Sequence, residues 1–120
     1  MAVAWRRPNP ALDLMLAAER VIHSYVHQGR IGVLVELGAQ TDYAIRSHEF
    51  GAFMHELTLH IAASAPSTVP ELLAQPFVKD STVTVAQRLE GLAAALREHV
   101  VIVRFVRWDT APPPSRERLR

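Results

Sequence analysis

Two runs of β-favouring residues, Val21 to His27 and Arg30 to Leu37, stand on either side of Gln28-Gly29. A two-residue connection ending in a glycine, which tolerates positive φ, predicts a tight antiparallel hairpin. That pairing constrains everything around it, because side chains alternate between the faces of a strand. With Gln28-Gly29 as the whole loop, His27 faces Arg30, Tyr25 faces Gly32, His23 faces Leu34 and Val21 faces Glu36, all on one side of the sheet. Ile22, Ser24, Val26, Ile31, Val33, Val35 and Leu37 then form the side that must be covered.

Two amphipathic segments are available to cover it. From Ser47, apolar residues recur at Phe50, Phe53, Met54, Leu57 and Ile61, the spacing of one buried helical stripe, and Pro66 ends the run at or before Ala65. From about Thr82, Val85, Leu89, Leu92, Ala93 and Leu96 repeat the pattern. His99 to Trp108 reads as a third strand, with Val101, Val103 and Phe105 on one face and Val100, Ile102, Arg104, Val106 and Trp108 on the other. Ahead of the hairpin, Asn9-Pro10 opens a short helix to about Arg20. The expected fold class is α+β, a three-stranded antiparallel sheet covered on one face by helices. The expected organisation is an N-terminal extension with a short helix at 1–18, a core domain at 19–109 and a flexible Pro- and Arg-containing tail at 110–120.

Composition narrows the function. A chain of 120 residues, 49% apolar and 21% charged, suits one hydrophobic core. It has no cysteine, which excludes disulfides, thiol nucleophiles and sulfur-ligated metals. No apolar run reaches the roughly 18 residues of a membrane span, and no signal-peptide core follows Arg6 and Arg7, so a cytoplasmic protein is expected. The net charge is +1, but residues 19–109 carry eight basic and ten acidic groups. The excess positive charge lies at the two ends, which argues against nucleic-acid binding by the core. Six histidines invite a metal, yet His23 and His27 are about 13 Å apart along a strand, and His55 and His60 point apart on a helix. No metal and no cofactor is expected.

On this register one sheet face is left over, mixing His23, Tyr25, His27, Arg30, Glu36 and Arg104 with Leu34, Ile102 and Trp108. Such a face is too apolar for plain solvent and too polar for a dry core, so a second copy of the chain or another protein is expected on it. If His23, Tyr25, Glu36 and Arg104 converge there, they supply a base, a carboxylate, a phenol and a guanidinium. That set serves a polar dimer contact, or acid-base catalysis and binding of a small molecule.

Several stretches, taken together and in order, resemble the C-terminal core or dimerisation module of translation elongation factor Ts. His27 to Glu36 (HQGRIGVLVE) is similar to its hairpin, Thr41-Asp42-Tyr43 to its Thr-Asp-Phe motif, and Leu59 to Pro66 (LHIAASAP) to its His-Ile-Ala-Ala segment. Gln75 to Asp80 (QPFVKD) resembles its Gln-Pro-Phe-Val loop, and Val103 to Trp108 its last strand. The likeness covers about residues 19 to 109. Departures stand beside it. The family's N-terminal helical domain and the helical-hairpin insertion before Gln-Pro-Phe have no counterpart here, and Tyr43 replaces the motif's Phe.

The resemblance implies guanine-nucleotide exchange on elongation factor Tu or a specialised relative. In the family the Asp-Phe pair enters the partner's G domain, the ring wedges between two helices, and the disturbed magnesium and phosphate sites release GDP. Carried over, Tyr43 is the wedge and Asp42 its polar neighbour, while Ile31, Gly32, His60, Val78 and Lys79 match further contact positions. From the residues themselves, Thr41-Asp42-Tyr43 equally suits a polar turn with Asp42 capping the helix that follows, and His60 a half-buried, hydrogen-bonded place at the edge of the core. A second reading also stays open: a homodimeric scaffold recruited to specialised metabolism, holding or converting a small molecule at the open face or subunit interface.

Overall fold

The computed structural model describes residues 10–110; Arg6, Arg7 and the expected tail from residue 111 onward lie outside the described residues. The chain runs α1 (Pro10–Leu16), β1 (Glu19–His27), β2 (Ile31–Ala39), α2 (Asp42–Arg46), α3 (His48–Ser64), α4 (Val69–Ala74), β3 (Pro76–Phe77), β4 (Asp80–Thr84), α5 (Val85–Leu96) and β5 (Val101–Asp109). β1, β2 and β5 form an antiparallel sheet with β2 in the middle, and β3 pairs with β4 in a small separate ribbon. The fold is the expected three-stranded sheet packed with helices. Its first helix stops at Leu16, short of Arg20, because Glu19 and Arg20 are drawn into the ladder opposite Ala39 and Gly38.

α3 is built as its pattern requires. The Ser47 side chain caps it by accepting from the Phe50 amide at 3.2 Å, and Ala65 ends it in the left-handed region at φ 47°. Phe50, Phe53, Leu57 and Ile61 are fully buried, each stabilising the fold by roughly 1.5–3 kcal/mol. α5 begins at Val85, later than Thr82, because Thr84 and Gln87 close a reciprocal capping box (2.8 and 3.1 Å) and the residues before it pair as β4. The segment between the two helical stripes, 65–80, contains α4, β3 and the first residue of β4.

The hairpin turn falls on Gln28 and Gly29, both at positive φ, and the Arg30 amide donates to the His27 carbonyl at 2.9 Å. The ladder, however, resumes with Ile31 opposite His27, so Arg30 is one extra residue in the second strand. A one-residue offset moves one strand's side chains to the opposite face relative to its neighbour. Tyr25 therefore faces Val33, His23 faces Val35 and Val21 faces Leu37. These lie on the helix-covered side, and Ile22, Ser24 and Val26 lie on the open one. A second irregularity has the same kind of effect. Glu36 pairs with Arg104 but Leu37 pairs with Ile102, so Val103 bulges and Ile102 turns into the core.

Candidate functional site

The Asp42-Tyr43 pair sits at the start of α2, where the chain leaves the central strand. Thr41, and not Asp42, caps this helix, its hydroxyl oxygen accepting from the Ala44 amide at 3.2 Å; Asp42 is already the first helical residue. Ala44 is buried, so the helical phase turns Tyr43 outward, and Tyr43 is 81% exposed. Asp42 is paired one turn on with Arg46 at 2.9 Å. The entry to the helix is held from a distance. One oxygen of Glu98 accepts from the Gln40 and Thr41 amides, both at 3.0 Å, and its other oxygen accepts from the Thr41 hydroxyl. In return the Gln40 side-chain oxygen accepts from the His99 amide at 2.8 Å. Nothing in the local pattern of residues 38–46 points to Glu98; a cap-forming Thr with a preceding amide pair still unmatched is the available signal.

His60 lies near the other end of α3 and is fully buried. Its Nδ1 accepts from the Val78 amide at 3.1 Å, which makes Nε2 the donor to the Gln75 side-chain oxygen at 2.8 Å. The ring stacks on buried Phe77, with centroids 5.8 Å apart. Burial pushes its pKa below the ordinary histidine value, with the Gln75 bond opposing. His60 thus holds the QPFV loop from inside, and Val78 and Lys79 are the exposed residues that loop presents. Ile31 and Gly32 lie at the hairpin end of the sheet. That end is tied to the C-terminal end of α3 by Arg107, which pairs with Val33 and donates to the Ala62 carbonyl at 3.0 and 3.2 Å. The positions named from the sequence therefore fall in two groups. Ile31, Gly32, Val78 and Lys79 lie toward one end of α3, and Asp42 and Tyr43 lie beside its start.

The chain matches the family described as Elongation factor TS over residues 11–71, a stretch that contains β1, β2, the Asp42-Tyr43 pair and His60. It is similar to the proteins named Elongation factor Ts of Alkaliphilus oremlandii (32% identical, 78% of this chain and 64% of the relative) and Acetivibrio thermocellus (32%, 78% and 65%). That of Rubrobacter xylanophilus is 33% identical over 73% of this chain and 69% of its own. The chain belongs to the elongation factor Ts family. It spans a little under two thirds of the first two relatives, and the first alignment runs over 139 positions while using 78% of a 120-residue chain. This elongation factor Ts relative thus skips segments that those proteins carry.

The register corrects the reading of the sheet faces in this family member. His23, Tyr25, Glu36 and Arg104 do not converge, because the extra residue at Arg30 puts the first two under the helices and leaves the last two on the open face. His23 and Tyr25 instead meet His55 of α3 edge-on, with centroids 5.8 and 6.2 Å apart, and the Tyr25 hydroxyl bonds His27 Nδ1 at 2.8 Å. Burial, and then the neighbouring His55, lower the pKa of His23. Across the sheet, Glu36 accepts from Arg104 at 2.7 Å and Arg20 at 3.3 Å, its side chain 14% exposed. The Arg104 bond holds the Glu36 carboxyl below its ordinary pKa; burial works against this and Arg20 adds to it. The rest of the open face is more apolar than expected: Ile22, Val26, Leu34, Val106 and Trp108 are all exposed there. Among the described residues, no three His, Asp or Glu side chains are grouped to hold a metal ion, and no helix is long and apolar enough to cross a membrane.

Proposed function

We propose that this chain binds elongation factor Tu, or a specialised relative, and promotes GDP release through Tyr43 and Asp42. The observation that carries the reading is a large aromatic ring held almost wholly in solvent at the head of a capped helix, at the position of the family's motif. Exposing such a ring forgoes the burial that would stabilise a lone domain, which is what a side chain intended for a partner's pocket does. Val78 and Lys79 on the loop held by His60 give a second, separate contact region. Exchange follows from linkage: a partner that prefers the nucleotide-free state weakens nucleotide binding by the factor by which nucleotide weakens the partner.

The test is release of a fluorescent GDP analogue from elongation factor Tu of the same organism. Acceleration is expected with the wild-type chain and is lost with Tyr43→Ala, whose stability should be unchanged. Tyr43→Phe should act at least as well, since a phenol hydroxyl left unpaired in a dry pocket costs about 1–3 kcal/mol. No acceleration and no complex at high concentration would sink the reading. The apolar open face further supports pairing of two copies through β1, β2 and β5. The small-molecule reading loses the four-residue constellation on which it rested.

A further inference from the structure

We propose that Glu98 is a positioning residue for Tyr43, setting the aim of the ring from 55 residues further along the chain. The inference rests on the exchange reading for its functional consequence, and on the geometry alone for its structural one. α2 has five residues, too few to hold a helical conformation unaided, and the exposed Tyr43 ring gains little orientation from packing of its own. Its direction is inherited from the backbone at 40–44.

A single carboxylate gathers three donors at the entry to that backbone. Glu98 takes the Gln40 and Thr41 amides on one oxygen and the Thr41 hydroxyl on the other. By accepting the hydroxyl proton it leaves a Thr41 lone pair free to meet the Ala44 amide, so the cap of α2 is aligned by the same group. Glu98 is itself fixed. Arg97 adopts the left-handed conformation (φ 57°) at the end of α5, and the Glu98 amide donates to the Ala93 carbonyl at 3.1 Å. The next residue, His99, donates its amide to Gln40 and pairs with Asp13 of α1 at 2.7 Å. Two connections far apart in sequence are thereby locked into one joint, with Tyr43 projecting from it.

The experiment uses the full chain with Glu98→Ala and Glu98→Gln, each alone and combined with Tyr43→Ala, read by GDP-analogue release, by affinity for elongation factor Tu and by amide hydrogen exchange at Gln40, Thr41 and Ala44. Glu98→Ala removes acceptors from two amides, so the concentration giving half-maximal acceleration should rise at least about tenfold. Glu98→Gln keeps an acceptor oxygen and should restore most of the loss. On the Tyr43→Ala background, where release is already lost, Glu98→Ala should weaken the residual affinity for elongation factor Tu no further, which a merely structural role would not predict. Exchange at Ala44 should quicken in Glu98→Ala. Wild-type release by Glu98→Ala, an equal loss of affinity on both backgrounds, or unchanged exchange at Ala44 would each overturn the proposal. If the wild-type chain releases no nucleotide, the exchange reading fails, and Ala44 exchange alone decides whether Glu98 positions the helix. Should Glu98→Ala not fold, Glu98→Asp, which keeps the charge but draws the carboxylate one methylene away from its three donors, must show the same quickened exchange at Ala44.

Discussion

Lowering the pH should loosen this protein through His60, and replacing that residue should remove its share of the effect. In the folded chain Nδ1 accepts the Val78 amide, so a proton can enter only if that bond breaks and a charge is left among Phe77 and the α3 core. The folded pKa is therefore below the unfolded value of 6.5. The unfolded chain binds the proton more readily, so the stabilisation is complete above about pH 6.5 and is lost as pH falls toward the folded pKa. The slope cannot exceed about 1.4 kcal/mol per pH unit for each such histidine. His23, lowered by burial and by His55, acts with the same sign. His60→Leu removes both ring bonds and the stack at similar volume. The Val78 amide is then left facing an apolar side chain at a fully buried position, and a loss of about 2 kcal/mol at neutral pH is expected. Urea midpoints at about pH 7.5 and about pH 5.5 for wild type, His60→Leu and His23→Gln make the comparison. A pH dependence in His60→Leu equal to that of wild type would refute the reasoning.

Gly38 is pressed against the residues that join α1 to β1: an added Cβ would lie 2.6 Å from the Ala17 Cβ and 3.0 Å from the Arg20 Cδ. Gly38→Ala should cost about 1–3 kcal/mol, and Ala17→Gly in the same chain should recover part of it; strictly additive losses in thermal melts would contradict this. Leu34→Glu and Trp108→Glu (72% exposed) should leave the circular dichroism spectrum unchanged. If two copies pair through the open face, sedimentation should report a halved mass for both, and an unaltered dimer would remove that face from the contact. Thr84→Ala should lower stability by about 1 kcal/mol, with little further loss on adding Gln87→Ala because the two close one box; independent effects in denaturant melts would count against it.

Much of the fold was legible because each stretch carried a local pattern of its own. The α3 stripe and its Pro66 stop, the α5 stripe and three strands are all written in spacing. The Asp42-Tyr43 pair stood out through its likeness to the family's motif, whereas its exposure follows from the burial of Ala44 beside it. His60 was legible as a boundary residue, but its complete burial depended on Gln75, Phe77 and Val78 folding back over it.

What sequence could not decide were the offsets and the distant contacts. Gln28-Gly29 specifies a turn, but whether Arg30 belongs to the loop or to the ladder alters the local geometry very little. Nor does β1 settle the matter, since Val21, Tyr25 and the histidines alternate with Ile22 and Val26, and either set tolerates burial. The choice falls to α3, whose His55 meets His23 and Tyr25, and to the bulge at Val103, which brings Ile102 inward. The reach of Glu98 to Thr41 is of the same kind. Patterning that is local in the chain determines elements, because periodicity and capping act over a few residues. Register, faces and the joint beneath Tyr43 are determined by packing among elements whose order in space no short window contains.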